Sequence, residues 1–343
     1  MIESAIYFRD STKKLEIRRI SPMSRDPFSD ILKFTHAESI VTGGFTATGP
    51  WALRFPAPEK IKFFAVVKGQ CWVRIDGEQE PVRFETGDVG LLAARRSFVL
   101  ASDLDTPPVD AMSVFARAGN NGVHLGIGIG TGTGTGTAPD FSQIGGHILL
   151  DPVSGRLLAD VLPPWIHVPA ASAQATAFRW LLAQLVEERA NEQPGTQLAS
   201  AQLAQLLFIQ ILRAHLRTSA PMPPGWLRAL GDARLAPALR LMHDDPARTW
   251  HLEDLAKACA MSRTTFAAHF RTVAGVAPLT YLTEWRMRLA ERALREDDTP
   301  VTVVAQSLGY SSDSAFSTAF KRVNGHSPRA YRMAMREAEP GEA

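Results

Sequence analysis

The chain has 343 residues, of which 45% are hydrophobic and 21% are charged, and its formal net charge is +2 at pH 7. This length allows two or three domains, and the composition is that of a globular chain rather than a disordered or fibrous one. Only two cysteines are present, Cys71 and Cys259, and their wide separation in sequence does not suggest a disulfide framework.

The first 25 residues form a polar extension that is charged throughout and lacks the apolar run of a signal peptide. No later stretch reaches the roughly 18 uninterrupted apolar residues that a membrane span needs. We therefore expect a cytoplasmic protein without a membrane partner.

Residues 26–118 have the pattern of short antiparallel strands. The runs "FFAVVKG", "CWVRIDG", "VRFETGD" and "VGLLAARRSFVLAS" are apolar or alternating, and Gly69, Gly77 and Gly87 separate them. The Asp-Gly pair in "IDGEQ" is typical of a tight hairpin turn. This spacing of strands predicts a sandwich or a barrel.

A glycine-threonine tract, "GIGIGTGTGTGT", follows at 126–137. Its glycines occupy every second position, so it matches neither Gly-x-Gly-x-x-Gly nor a phosphate loop ending in Gly-Lys-Ser/Thr. We interpret residues from about 119 to 140 as a flexible loop.

Two helical segments follow, at 175–192 and 196–217, separated by Pro194-Gly195. The second has apolar residues on more than one face, which indicates burial on two sides, either in the core alone or against a second copy of the chain. A proline-rich linker at 218–225 marks a domain boundary. We therefore predict one domain at 26–220, which includes a helical dimerisation segment, and a second, wholly helical domain at 226–336.

The second domain contains an internal repeat. The segment "LAKACAMSRTTFAAHFRTVAGVAPLTYL" is matched about fifty residues later by "VAQSLGYSSDSAFSTAFKRVNGHSPRAY". Each copy predicts a short helix, a tight turn, a second helix and a glycine stop. The matched positions pair Phe266 with Phe316, Phe270 with Phe320, Val273 with Val323, Gly275 with Gly325, Pro278 with Pro328 and Tyr281 with Tyr331.

Each copy is a predicted helix-turn-helix unit, in which the second helix enters the DNA major groove. Ser262 and either Ser311 or Ser312 stand where a helix N-cap belongs, and Gly309 can adopt the positive φ of the turn. The phenylalanines would hold each recognition helix to its support, and the small polar residues would face the bases. The uninterrupted helix predicted between the units, 278–296, would hold the two recognition helices near the ~34 Å repeat of the groove.

Charge in this region agrees with contact to phosphates. From Leu252 to Arg336 there are 12 Lys and Arg and 8 Asp and Glu, which gives 12 − 8 = +4. A nonspecific architectural DNA-binding protein would be far more basic than the whole chain, whose pI is about 8.6.

These motifs resemble the AraC/XylS family of transcription regulators. "LAKACAMSRTTFAAHF" is similar to the family's first helix-turn-helix unit, and "VVAQSLGYSSDSAFSTAFKRVNGHSPRAYR" to its C-terminal signature. The N-terminal half, through "DPFSDILKF", "GPWALRFP", "GGHILLD" and "LPPWIHV", resembles the subgroup with a cupin-type sensor. The resemblance implies an α+β chain: an N-terminal antiparallel β cupin-like barrel for effector sensing and dimerisation, followed by an all-α double helix-turn-helix domain.

The resemblance also implies which residues contact double-stranded DNA. By position, the candidates for base contact are Arg263, Thr264, Ala267, Ala268, Asp313, Ser314 and Thr318. The candidates for phosphate contact are Ser262, Arg271, Ser312, Lys321, Arg322 and Arg329. Asp313 either accepts from a cytosine amine or caps its helix, and we favour the cap.

Further partners follow from the same resemblance: a second copy of the chain, an unknown small-molecule effector and, for an activator, RNA polymerase. The alternative is a metal-dependent cupin enzyme fused to a DNA-binding module. The usual metal-ligand positions argue against it, because they hold Lys60 and Lys62 on one strand and Arg95, Arg96 and Phe98 on another. We expect no metal, no cofactor and no enzymatic activity. Cys71 is either a small buried hydrophobe, which we favour, or a redox sensor.

Overall fold

The computed structural model describes residues 26–118, 123–125, 139–151, 154–191, 193–218, 222–296 and 299–338. The predicted extension 1–25 and the whole glycine-threonine tract at 126–137 lie outside these residues. The chain divides into two compact units, which are Ile31–Asp232 and, as the second, Ala233–Ala343 together with Met1–Asp30.

The first unit is a β-rich structure built from two sheets and flanking helices. Its strands are β1 Glu38–Ala47, β2 Ala52–Phe55, β3 Ile61–Lys68, β4 Gln70–Ile75, β5 Val82–Glu85, β6 Val89–Leu92, β7 Phe98–Ala101, β8 Val109–Asp110, β9 Val123–Leu125, β10 Phe141–Leu149 and β11 Trp165–Val168. Its helices are α1 Pro27–Phe34, which begins in the other unit, α2 Ala111–Ala118, α3 Arg156–Ala159, α4 Ala175–Asn191, α5 Thr196–Leu216 and α6 Trp226–Gly231.

One sheet has the strand order β11-β6-β3-β10-β1-β9 and the other β5-β4-β7-β2-β8. The pairs are antiparallel except at one edge of each sheet, where β9 lies parallel to β1 and β8 parallel to β2. Side chains from both sheets, among them Phe64 and Phe98, meet in one apolar core. This arrangement confirms the predicted β cupin-like barrel, with two parallel edge pairs that the sequence pattern did not predict.

The predicted turns connect these strands. Gly69, Gly77 and Gly87 all have positive φ and join consecutive strands from β3 to β6. β4 and β5 pair across the Asp76-Gly77 turn, as the hairpin motif predicted. Within the predicted flexible loop, in contrast, Val123–Leu125 form β9, because their backbone can pair with the otherwise open edge of β1.

Helices α4 and α5 form an antiparallel pair that packs on the six-stranded sheet, mainly through α5 against β1. Leu207, Ile211 and Leu212 of α5 are buried, whereas Leu198 and Leu206 are 68% and 38% exposed. The predicted apolar character on more than one face is therefore present, with one face in the core and the other accessible.

The second unit is wholly helical beyond Ala233. Its helices are α7 Ala236–Asp244, α8 Leu252–Ala258, α9 Arg263–Ala274, α10 Pro278–Glu296, α11 Val301–Ser307, α12 Asp313–Asn324 and α13 Pro328–Ala338. Helix α6, which we assigned by sequence to the second domain, belongs to the first compact unit, where the Trp226 Nε1–H donates to the Leu157 carbonyl oxygen at 2.6 Å. Within the described residues, no helix is long and apolar enough to cross a membrane.

Candidate nucleic-acid interface

Two helix-turn-helix units repeat in three dimensions as they do in sequence. Helices α8 and α9 form the first unit, and α11 and α12 form the second. Ser262 caps α9 by accepting the Thr265 N–H at 3.1 Å, and Ser312 caps α12 by accepting the Ala315 N–H at 3.2 Å. Both second helices have twelve residues and end at a left-handed glycine, Gly275 or Gly325. The two units therefore present recognition helices of equal length.

Equivalent aromatic side chains pack each recognition helix against the rest of the helical domain. Phe266, Phe270, Phe316 and Phe320 are fully buried, which confirms their predicted place in the core. Phe270 meets Tyr281 edge to face at 5.7 Å, and Phe320 meets Tyr331 in the same way at 5.5 Å. Since these rings lie on one side of each helix, the opposite side faces outward.

The outward faces carry most of the predicted contact residues. Eight of them are exposed and lie in the first half of a recognition helix or at its cap: Ser262, Arg263, Thr264, Ala268, Ser312, Asp313, Ser314 and Thr318. Ala267 is half-buried, since it lies nearer the packed side. Sequence reasoning omitted Thr265 and Ala315, which are equivalent in the repeat and exposed. The spacing of the phenylalanines could have identified them, because Thr265 and Ala268 lie three residues apart on the side away from Phe266 and Phe270.

Arg263 begins α9 and makes an exposed ion pair with Glu253 of α8, with Nη1 and Oε1 2.9 Å apart. Both side chains are more than half exposed, so the pair contributes little to stability. It does orient the guanidinium at the N-terminal end of the recognition helix. A DNA base would have to compete with Glu253 for this guanidinium.

Asp313 has a different role from the favoured cap. Ser312 is the N-cap of α12, and Asp313 is the first helical residue. The Thr302 Oγ1–H of α11 donates to the Asp313 carboxylate at 2.7 Å, which ties the two helices of the second unit together. The cap prediction for Asp313 is therefore wrong, because the preceding serine already satisfies the free N–H group and leaves the aspartate to bond across the turn.

The predicted phosphate-binding cations are all exposed: Arg271, Lys321, Arg322 and Arg329. Arg271 and Lys321 are equivalent in the repeat, and α12 adds Arg322, so the last turn of α9 carries one cation and that of α12 carries two. Arg322 is close enough to Glu284 of α10 and to Tyr310 of the second turn to alter their titration. Burial raises the pKa of Glu284 and of Tyr310, and Arg322 partly opposes both shifts.

The two turns of the repeat have different residues at the position with positive φ. Gly309 has φ 81°, as predicted, and the residue in the same place in the first turn, Ala260, has φ 52°. A side chain at Gly309 would also collide with the carbonyl oxygen of Ala247. The second turn is thus packed closely against the loop that follows α7, and only glycine fits there.

Arg286 of the connecting helix α10 holds that same loop. Its Nε–H donates to the carbonyl oxygen of Pro246 at 2.5 Å, and its Nη2–H donates to that of Arg248 at 2.8 Å. The guanidinium also lies over the ring of Tyr310, 5.8 Å from its centroid. Arg286 therefore links the loop before the first helix-turn-helix unit to the turn of the second helix-turn-helix unit.

A buried polar cluster fixes α7 to α10. His243 Nε2 lies 2.8 Å from Tyr281 Oη, and the imidazole stacks on Trp285 at 4.3 Å. Burial lowers the pKa of His243 to about 3, with Asp26 acting weakly in the opposite direction. The imidazole is therefore neutral at pH 7. Trp285 and Trp250 are both buried, which confirms that they pack rather than stack on bases.

In the barrel, Cys71 is 1% exposed, and burial together with Asp88 raises its pKa to about 12. A redox-sensing thiol needs access and a lowered pKa, so these observations favour the packing interpretation.

The candidate cupin metal positions hold no ligands. Phe98 is buried in the core, Lys60 and Arg95 are exposed, and Arg96 pairs with Glu78 at 2.7 Å. In the described part of the chain, no group of three or more His, Cys, Asp or Glu side chains could hold a metal ion.

Known protein families match both the β-rich domain and the helical domain. Residues 26–217 match the Cupin family model, and residues 255–334 match the Helix-turn-helix domain model. An AraC-like transcription regulator of Streptomyces antibioticus is 40% identical over 90% of this chain and 98% of its own length. The HTH-type transcriptional regulator AlkR of Acinetobacter baylyi is 30% identical over 83% of this chain and 91% of its own.

Among solved structures, the DNA-binding domain of the global transcriptional factor AdpA, crystallised with a target DNA, is 36% identical and covers 32% of this chain and 98% of its own, with a TM-score of 0.31. The relatives named above by sequence are transcription regulators and not enzymes. The chain belongs to the AraC family of transcription regulators, with an N-terminal cupin domain and a C-terminal, sequence-specific DNA-binding helix-turn-helix domain.

Proposed function

We propose that this regulator reads two successive major-groove segments on one face of DNA, one with α9 and one with α12. The proposal rests on the two hydrogen bonds that Arg286 donates to the loop after α7 and on the packing of Gly309 against Ala247 in the same loop. Both contacts limit movement of one helix-turn-helix unit relative to the other. Helix α10 has 19 residues, or roughly 28 Å at about 1.5 Å per residue, which is comparable to the ~34 Å repeat of the groove.

In this proposal, base reading rests on a few side chains. Arg263 can form two hydrogen bonds to guanine, whereas Thr264, Thr265, Ala268, Ser314 and Thr318 are small and offer single hydrogen bonds or methyl contacts. Arg271, Lys321, Arg322 and Arg329 provide phosphate contacts that set the register without reading sequence. Much of the specificity would then come from Arg263 and from DNA shape.

The barrel senses a small-molecule effector, and two copies of the chain associate through the accessible face of α5, where Leu198 and Leu206 are exposed. The regulator acts in the cytoplasm on its promoter DNA, as an activator that contacts RNA polymerase.

A selection of genomic fragments bound by the full-length protein tests the DNA part. Footprinting of the best fragment should show two protected segments one helical turn apart. Inserting about 5 base pairs between them turns one segment to the opposite face of the DNA and should abolish tight binding, whereas inserting about 10 should restore part of it. DNA affinity that neither insertion changes would show that only one recognition helix contacts the bases.

Transcription in vitro tests the regulatory part. RNA polymerase, the selected promoter and the purified regulator should give more transcript than polymerase alone. A decrease in transcript would identify a repressor instead.

A further inference from the structure

A cationic side chain lies inside the barrel with no acidic partner. In β3, Lys62 alternates with Phe63 and Ala65 and shares a face with Phe64 and Val66, which belong to the core between the sheets. The Lys62 Nζ lies over two aromatic rings contributed by the opposite sheet, 4.8 Å from the centroid of Phe55 and 5.7 Å from that of Phe98. The ammonium group therefore lies over rings between the two sheets, and the side chain as a whole is half-buried.

A row of inward-facing side chains surrounds it. Lys62 pairs with His147 on one side and with Leu92 on the other, and Leu92 pairs with Trp165. His147 is half-buried, and its Nδ1 is buried without a hydrogen-bond partner among the described residues. Burial lowers the pKa of His147, and the positive charges of Lys62 and Lys60 lower it further. The imidazole is therefore neutral and can offer an N–H beside the ammonium.

The nearby carboxylates are already engaged with other cations. Asp76 pairs with Arg54 and accepts the Ser97 hydroxyl, and Glu78 pairs with Arg96. Within the described chain, Lys62 makes no ion pair, and its contacts with the two rings compensate only part of the loss of hydration. Burying an unpaired charge is costly, and burial lowers the pKa of Lys62 accordingly.

A cavity of about 530 Å³ borders this row, lined by Val73, Ile75, Val82, Trp165 and the side chains of the β4–β5 turn. Ile75 pairs with Phe98, so the cavity and the Lys62 ammonium lie at the same end of the barrel. The lining combines an aromatic and aliphatic wall with acidic rim residues, Glu78 and Glu80. An acidic rim disfavours a ligand with more than one negative charge.

We propose that this end of the barrel binds a small organic monocarboxylate, with its carboxylate on Lys62 Nζ and His147 Nδ1 and its apolar body against Trp165 and the aliphatic wall of the cavity. The carboxylate supplies the missing counter-ion, and the aromatic wall selects a ring or a short alkyl chain over a fully polar anion. This ligand is the effector of the proposed regulation, so the inference rests on the proposed function for its biological meaning but not for its binding test.

The test measures ligand binding to the full-length protein in the absence of DNA. Titration calorimetry and tryptophan fluorescence both monitor the binding. The probes are phenylacetate and hexanoate, compared with their uncharged amides phenylacetamide and hexanamide and with inorganic phosphate. We expect at least one carboxylate to bind ten times or more tightly than its amide, and phosphate to bind no more tightly than the amides. Absence of saturable carboxylate binding up to about 10 mM, a concentration that would reveal even millimolar affinity, overturns the proposal.

Lys62→Met and His147→Gln locate the site. Lys62→Met should remove the preference for carboxylate over amide and keep a melting temperature at least as high as that of the wild type, since it replaces a desolvated charge by an apolar chain of similar length. His147→Gln should weaken carboxylate binding several-fold. Lys68→Met, on the exposed lysine that ends β3, is the matched control and should leave binding unchanged. Carboxylate affinity that persists in both site variants overturns the assignment, and so does phosphate that competes as well as the carboxylates.

A second measurement separates this inference from the proposed function. DNA affinity of the wild type is determined with and without the bound carboxylate. A carboxylate that binds through Lys62 without changing DNA affinity or transcription leaves the site in place and refutes its regulatory role.

Discussion

Arg286 in the connecting helix donates to the carbonyl oxygen of Arg248, 38 residues earlier, at 2.8 Å. A second bond to Pro246 makes the guanidinium a fork that holds one loop by two carbonyl groups. Since the same loop packs on the Gly309 turn, the Arg286 side chain links the two helix-turn-helix units.

Arg286→Met should destabilise the protein by about 1–3 kcal/mol, because it leaves two carbonyl oxygens without their donor. It should also lower affinity for a site with two segments more than affinity for random DNA, because the spacing of the recognition helices is less constrained. Chemical denaturation and DNA binding by fluorescence anisotropy measure the two effects. Arg240→Met, on an exposed arginine of α7, is the control and should alter neither. An equal loss on both DNAs would contradict the linking role.

Arg263→Ala should cost about 1–3 kcal/mol at the specific site and little on random DNA, because the lost group reads a base. Arg322→Ala should instead weaken binding to all sequences and reduce the slope of affinity against salt concentration by about 1. Equal losses for Arg263→Ala on specific and random DNA would exclude base readout. Glu253→Gln removes the competing carboxylate and should leave specific affinity equal to or higher than that of the wild type.

The turns provide a stability comparison. Gly309→Ala should destabilise by more than about 2 kcal/mol, because it combines a left-handed backbone with a clash against Ala247. Ala260→Gly should change stability by less than about 1 kcal/mol, since relief of left-handed strain is offset by the greater freedom of glycine in the unfolded chain. Unfolding by urea measures both. A Gly309→Ala variant as stable as the wild type would contradict the described packing.

Acid should destabilise the helical domain, because His243 is buried in its neutral form. Its pKa is about 3 in the folded state against 6.5 ordinarily, so between these values the unfolded chain binds more protons. Stability is therefore complete above about pH 6.5 and should fall by up to about 1.4 kcal/mol per pH unit as pH decreases towards 3. His243→Gln, which cannot titrate, should remove this part of the pH dependence, and His326→Gln on an exposed histidine should not. Parallel pH profiles for wild type and His243→Gln would refute the assignment.

Dimerisation through α5 predicts that charge on its accessible face separates the subunits. Leu198→Glu combined with Leu206→Glu should convert a full-length dimer into a monomer at micromolar concentration, because both leucines are exposed in one chain and would be buried between two. Sedimentation velocity measures the change. Gln193→Glu combined with Gln197→Glu adds the same charge to exposed polar positions around the start of the helix, outside the line of Leu198 and Leu206, and serves as a comparison for charge alone. A wild type that sediments as a monomer refutes the proposal directly.

The sequence alone determined the two recognition helices and their buried side. The phenylalanine spacing, the serine caps and the glycine stops are local signals, and each acts within a few residues of the helix that it defines. The same holds for the strands between Ile61 and Ala101, whose glycine turns lie where predicted.

The tertiary structure decided what individual polar side chains contact. The partners of Arg286 are about 40 residues away in sequence, Lys62 points inward because of the register between β3 and β10, and Asp313 bonds across a turn to Thr302. These contacts depend on which segments meet in space. A pattern of residue types cannot specify this, because a lysine or an aspartate has the same local signature whether it faces water or another helix.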